Sequence, residues 1–317
     1  MIRRIKKYVK NFIIYFEEFM FDVRYTTMIK GYRYCKDSLL SAMVVDAHTI
    51  EKGLTMPNKK YNFGHKKLNK IISDTDYFIK TFNNPDDRFE NVISILFEYY
   101  KYHVSNGISI SDANVNAGIL RLINLYPNIQ PSSQYSFTKN EFFSKSSSDF
   151  LEFSSSRHSC RNLPGNVDPD LLSKALELAQ NTPSTCNRQA TRIHVIYGHE
   201  PVVKYQKGNR GFGHIVKTSL LITSKLTHWE GGRLRHAPYV DGGIFIMNLL
   251  YSLHYYGIGA CTLNMYQEPR EVKNIQKNLS IPKDEVPIAL IAIGMPPDVF
   301  EIAKSTKRPA NTIVTYH

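Results

Sequence analysis

The stretch Val286-Pro287-Ile288-Ala289-Leu290-Ile291-Ala292-Ile293-Gly294 is apolar at odd and even positions alike. Successive side chains of a strand point to opposite faces, so a run of this kind must be covered on both. It predicts a central strand at 286–294. Working outward, RIHVIY at 192–197, SLLITS at 219–224 and TIVTY at 312–316 read as further strands. A long apolar helix at about 240–256 ends at the glycines of Tyr256-Gly257-Ile258-Gly259. Asp168 and Pro169 open another helix, the first as N-cap and the second at the first helical position, and Pro269 opens a shorter one. Strands and helices interleaved in this way predict an α+β layered domain.

The first half has a different rhythm. Ile2, Ile5, Val9, Phe12, Ile13, Phe16 and Met20 recur at three- and four-residue spacing, with Arg3, Arg4, Lys6, Lys7 and Lys10 largely on other faces. Helical patterns continue over 36–52, 66–82, 87–104 and 111–125. Residues 126–158 then turn polar and Ser-rich, and serine competes for local backbone hydrogen bonds, so this segment reads as a linker or wrapping arm. The organisation expected is a helical region over 1–125, a polar arm over 126–154 and a second domain over 155–317.

Composition excludes several classes. In 317 residues, 42% hydrophobic and 21% charged side chains rule out wholesale disorder. Lys and Arg number 40 against 28 Asp and Glu, a net charge of +12 that suits nucleic acid, an anionic membrane surface or a phosphorylated ligand. No nucleic-acid motif and no interleaving of aromatic with basic residues accompanies it, which sets the first aside. Cys35, Cys160, Cys186 and Cys261 form no CxxC pair, arguing against a disulfide scaffold and a zinc site and for a reducing cytoplasm. No apolar run approaches the roughly 20 residues that span a bilayer. The basic, then apolar, beginning of the chain is interrupted by Glu17 and Glu18 with no small-residue cleavage site after them, so no export is expected.

Three segments carry chemistry. Arg157-His158-Ser159-Cys160-Arg161 puts two guanidinium groups, a hydroxyl and an imidazole together, the tools for an oxyanion. Pro183-Ser184-Thr185-Cys186-Asn187-Arg188-Gln189 offers paired amide donors and acceptors suited to the polar edge of a heteroaromatic ring. Lys304, Lys307 and Arg308 form a basic cluster near the C-terminus.

Their order resembles the nitroreductase family of flavin enzymes. An RHSxR string is followed by a PSxxNxQ loop leading into a strand. The segment from Asn248-Leu249-Leu250 to Gly257-Ile258-Gly259-Ala260-Cys261 is similar to the family's NLLLAAxxLGLGxC segment, and Ile293-Gly294-Met295-Pro296 to its LGxP strand end. The resemblance covers about 155–317. It implies a three-layer sheet-and-helix fold and an FMN-dependent oxidoreductase, with hydride passing from NAD(P)H through flavin N5 to an acceptor and no protein nucleophile. It implies that Arg157, His158, Ser159 and Arg161 hold the FMN phosphate and ribityl chain. Pro183, Ser184, Thr185 and Asn187 would line the isoalloxazine from the partner subunit of a homodimer, with Gln189 and Asn209 as further contacts. Lys307 and Arg308, with Lys304, would complete the phosphate site, and 312–316 would embrace the partner.

This chain departs from the family's PSxxNxQPW at Ala190-Thr191-Arg192, and its single Trp, Trp229, lies elsewhere in the sequence. Cys160 and Cys186 read as small packing residues. In the first half, His48-Thr49-Ile50-Glu51-Lys52-Gly53-Leu54 and Asn62-Phe63-Gly64 resemble the helical extension of nitroreductase-like proteins encoded beside bacterial surface-polysaccharide genes. There, His48 and Glu51 read as a polar pair on one helix face and Gly53 as the helix cap. Residues 1–20, basic with an apolar stripe, suit peripheral contact with the inner face of a membrane. A competing class is a non-catalytic or flavin-lost subunit of a membrane-associated assembly complex.

Overall fold

The computed structural model describes residues 2–25, 31–229, 235–265 and 267–317, the side chains of residues 2, 3, 24 and 25 excepted. Ile2 and Arg3 of the N-terminal pattern therefore have side chains outside the described residues. In chain order the elements are α1 (Ile2–Tyr25), α2 (Lys36–Gly53), α3 (His65–Thr81), α4 (Asp87–Ser105), α5 (Ala113–Leu125), β1 (Gln134–Thr138), α6 (Lys139–Phe143), α7 (Phe150–Ser156) and α8 (Pro169–Ala179). They continue with β2 (Thr191–Tyr197), α9 (Glu200–Tyr205), β3 (Thr218–Lys225), α10 (Ala237–Tyr255), β4 (Gly259–Asn264), α11 (Pro269–Asn278), β5 (Glu285–Gly294) and β6 (Val299–Ala303). The chain divides into two units: Met1–Phe19 with Ser136–Phe300, and Met20–Tyr135 with Glu301–His317.

The first unit is built on a four-stranded sheet in the order β2-β3-β5-β4. Every pairing is antiparallel, with Leu220 opposite Ile291 and Cys261 opposite Ala292. β5 is an inner strand, as its apolar pattern predicts. One face packs Leu220, Ile222, Ile291 and Ile293 against Ala175 and Ala179 of α8 and Phe245, Leu249 and Leu253 of α10. Leu221, Leu290, Ala292 and Leu263 alternate to the other face and are buried as well, so both faces are covered. The sheet-and-helix domain of the second half is thus present.

The second unit packs α2, α3, α4 and α5 around Leu40, Met43, Ile50, Ile71, Phe78, Phe89, Ile93 and Ile119. Gly53 is not a left-handed cap. It closes α2 where Phe63 lies against it, and a Cβ there would sit 2.2 Å from the Phe63 ring. That contact brings the EKGL and NFG segments together. Phe63 in turn stacks edge-on to Tyr99, whose hydroxyl donates to the Phe63 carbonyl.

Two segments differ from expectation. The Ser-rich stretch is folded: Thr138 and Glu141 form a capping box on α6, and Asp149 caps α7 through the Glu152 amide. β1 pairs with β6 beside it. The strand expected at 312–316 is a single 3-10 turn at Ala310–Thr312 followed by irregular chain. Ile313, Val314 and Tyr316 are exposed, and an apolar alternation forms a strand only where a neighbouring edge takes its hydrogen bonds.

Candidate functional site

The segment after α7 is laid along the end of the sheet. The Cys160 amide donates to the Ala260 carbonyl at 2.9 Å, and Gly165 and Met295 exchange both backbone hydrogen bonds at 3.0 and 3.1 Å. Gly294 permits this approach, since a Cβ on it would lie 2.9 Å from Leu163. The contact fixes the direction in which Arg157 to Arg161 leave α7. Cys160 is fully buried, and burial pushes its thiol up to about 12, which suits packing and not nucleophilic work. Cys186, in contrast, is exposed and has φ +49°, so it is not a packing residue.

Arg157 is the unusual member of this segment. Its Nε is buried with no hydrogen-bond partner among the described residues. Burial pulls its guanidinium below the usual arginine range, and the groups opposing that effect belong to Tyr251 and Cys261, neither of them a carboxylate. Close by, His254 of α10 accepts or donates a 2.9 Å hydrogen bond with the Ser156 hydroxyl, enclosed by Phe142, Phe143 and Phe153. It is 3% exposed and pushed down to about 4, first by burial and then by Arg157 and His158. A guanidinium and two imidazoles thus share a desolvated corner that repels further positive charge. Such a corner is complementary to an anion.

The second loop is held by a residue that the sequence pattern did not single out. Asp241 on α10, 3% exposed, accepts from the Thr185 amide at 2.9 Å and the Thr185 hydroxyl at 2.7 Å. Its only sequence signal is a lone carboxylate in an otherwise apolar helix. Asn248, one turn pair further along α10, donates to the Ala179 carbonyl and the Thr182 hydroxyl and fixes the end of α8. Between these anchors Cys186, Asn187 and Gln189 adopt φ of +49°, +53° and +48°. Left-handed backbone costs a non-glycine residue on the order of 1 kcal/mol, and it persists where surrounding bonds over-determine it. Here Ser184 accepts from the Gln189 amide at 3.0 Å, and the Gln189 side chain donates to Asn187 at 3.0 Å. The loop borders a cavity of about 260 Å³ with Pro183, Ser184, Asn187, Gln189, Arg192 and Phe245 in its wall.

Among the described residues neither loop arginine pairs with an acid. Arg192 donates to the Gln189 and Thr191 carbonyls at 2.8 Å. Arg188 donates to the His228 carbonyl and lies over the Trp229 ring, 5.7 Å from its centroid. Folding therefore brings the single tryptophan to the loop after all, from the turn following β3. Asn209 turns inward, its amide donating to the Val202 carbonyl of α9 and the Gln206 carbonyl just after it.

The basic tail belongs to the other unit. Lys304 donates to Ser132 at 2.9 Å, Arg308 pairs with Asp87 at 3.0 Å, and Lys307 is exposed. Glu51, 2% exposed, accepts from the Ser305 amide with one oxygen (2.8 Å) and pairs with His48 through the other (2.7 Å). The expected His48–Glu51 pair exists, and its carboxylate also secures Ser305 at φ +49°.

No family model matches the chain, and no curated protein matches it. Among solved structures, it is similar to a nitroreductase family protein from Streptococcus pneumoniae TIGR4, at 17% identity and TM-score 0.48 over 53% of this chain and 100% of that one. It is also similar to a nitroreductase family protein from Clostridium difficile 630, at 22% identity and TM-score 0.44 over 53% and 98%. A third is a protein of Exiguobacterium sibiricum 255-15 described as a nitroreductase and solved in complex with FMN, at 18% identity and TM-score 0.46 over 54% and 98%. These structural neighbours are nitroreductase family proteins. The similarity covers about half of the chain.

Proposed function

We propose that this protein is an FMN-dependent oxidoreductase that works as a homodimer. The observation that carries the reading is Arg157, a guanidinium desolvated beside two imidazoles with its Nε unpartnered among the described residues. A partly buried cation whose Nε is unpartnered among the described residues carries a desolvation cost, and a phosphate monoester bound there offsets it. In this reading Arg157, His158, Ser159 and Arg161 hold the phosphate and ribityl chain. Pro183, Ser184, Thr185, Asn187 and Gln189 line the flavin ring from the loop clamped by Asp241, and Asn209 shapes the neighbouring loop. When bound, FMN supplies two-electron chemistry between NAD(P)H and an acceptor. The protein's share is to neutralise the phosphate, present amide groups to the ring's polar edge and keep the loop rigid.

The dimer rests on α10. Its inward face packs on the sheet, yet Val240, Ile244, Met247 and Tyr255 form an exposed stripe at helical spacing. Phe150 and Leu151 of α7, 71% and 78% exposed, extend the same apolar surface beside Tyr251. A helix apolar all round calls for cover on both sides, and a second copy provides it with a self-complementary face. The 260 Å³ cavity lies at the small end of ligand-sized clefts, as a half-site completed by a partner would. The free thiols fit a reducing cytoplasm. The resemblance of the EKGL and NFG segments to polysaccharide-cluster proteins suggests an acceptor in surface-polysaccharide metabolism.

The test is anaerobic. NADH or NADPH should bleach the flavin absorbance of the purified protein, and a screen of acceptors should restore it. Bound FMN that neither nicotinamide reduces would contradict the enzymatic reading and favour the non-catalytic one.

A further inference from the structure

Helix α1 leaves its apolar side exposed. Over residues 4–19 the least exposed positions are Asn11, Ile14 and Glu18, spaced as one helix face. That face is the anchored one: Glu18 pairs with Arg235 at 2.9 Å, and Arg235 also lies over the Tyr15 ring. At 3.6 residues per turn, Ile5, Val9, Phe12, Ile13, Phe16 and Phe19 fill a sector of about 120° on the opposite side of the helix. All six are exposed, Phe12 at 62%. Tyr8 and Tyr15 edge this sector on one side and Lys6 on the other, with Lys7 and Lys10 farther round.

We propose that this face docks in the plane of an anionic lipid surface. Charge decides between lipid and protein as the occupant. Arg3, Arg4, Lys6, Lys7 and Lys10 precede Glu17 and Glu18, so the helix is strongly basic over its first half. A second copy would bring that half against a like charge in a parallel arrangement, whereas an anionic headgroup layer complements it. Lysines bordering an apolar sector can lie along it and keep their ammonium groups among the phosphates, and tyrosines at the border suit the same depth. The mode is in-plane: among the described residues no helix is long and apolar enough to cross a membrane. The inference stands apart from the flavin reading, because nothing in it depends on FMN.

The full-length protein is floated with phosphatidylcholine vesicles, with and without about 30% phosphatidylglycerol. The wild type should rise with the anionic vesicles, stay down with the neutral ones and be released by salt. Phe12→Glu/Phe16→Glu should lower flotation roughly tenfold or more, and Lys6→Glu/Lys10→Glu should lower it on anionic vesicles too. Both variants should keep the wild-type circular dichroism and thermal transition, so that loss of binding is not loss of fold. Failure of the wild type to float, or flotation unaffected by Phe12→Glu/Phe16→Glu, overturns the proposal. So does a change in oligomeric mass in that variant, which would make the face a contact between copies.

Discussion

Two long helices, α10 and α1, the latter in the sheet unit as far as Phe19, both show large apolar side chains to solvent, and they do so for different reasons. α10 is apolar all round. One side packs on the sheet, and the helix that carries the exposed stripe from Val240 to Tyr255 has no Lys or Arg of its own. α1 has an anchored side with Asn11, Ile14 and Glu18 and an apolar side bordered by Lys6 on one edge and by Tyr8 and Tyr15 on the other. The buried positions of α10 also include Asp241 and His254, each with a hydrogen-bonded partner. The corresponding side of α1 carries Asn11, Ile14 and the partly exposed Glu18–Arg235 pair. What flanks an exposed apolar face, more than the face itself, indicates what covers it, and what lies behind it indicates how much the fold depends on it.

The contrast can be broken in four places. Ile244→Glu, in the α10 stripe, should give the largest effect: a dimer weakened by at least roughly a hundredfold, seen as halved mass in light scattering at micromolar concentration. An unchanged mass would remove the distinction between the two helices. Next, Asp241→Asn takes a charged acceptor from the Thr185 amide and hydroxyl and should cost roughly 2–3 kcal/mol in urea unfolding. FMN affinity should fall with it, because the left-handed turn at Cys186–Gln189 loses its anchor.

The third effect is a pH dependence. His254 is pushed down to about 4 in the fold, against about 6.5 unfolded. The unfolded chain therefore binds the proton first as pH falls. The stability contributed by the neutral imidazole is complete above about 6.5 and is lost progressively towards 4, on the order of 3 kcal/mol in all. His254→Gln should flatten the unfolding free energy over that window, and an equally steep profile in the variant would exclude His254 as the cause. The smallest effect belongs to α1. Glu18→Gln should change stability by less than about 1 kcal/mol, because a partly exposed ion pair is well screened by water and salt.

Much of the fold can be read from the sequence, because the elements that matter have strong patterns. β5 shows its inner position in its unbroken apolar run, and the four helices between residues 36 and 125 appear within a residue or two of their ends, whereas α1 runs on to Tyr25, five residues past its expected end. The short strands β1, β4 and β6 are less visible. β4 begins at Gly259, where glycine reads as a stop, and five-residue strands such as β1 and β6 are set by pairing and not by composition. Gly53 looks like a cap and is a packing contact, a distinction that depends on Phe63, distant in sequence.

At the candidate site, the residue types of the 157–161 and 183–189 segments point to an anion and a polar ring edge. The clamp that Asp241 makes, the approach of Trp229 to Arg188 and the unpartnered Nε of Arg157 are tertiary facts. No local spacing encodes them. Lys304 and Arg308 illustrate the converse, since a basic cluster that reads as ligand-binding is partly spent on Ser132 and Asp87.

The central claim is that Arg157 makes a site for the phosphate of FMN. Titrating FMN into the flavin-stripped protein and its Arg157→Gln variant, with riboflavin as the phosphate-free control, measures this directly. We predict that the wild type quenches FMN fluorescence at one FMN per chain and binds riboflavin far more weakly. The variant should lose roughly 10- to 100-fold in FMN affinity and much less for riboflavin. Equal affinity of wild type and variant for FMN, or no binding to either, would contradict the account.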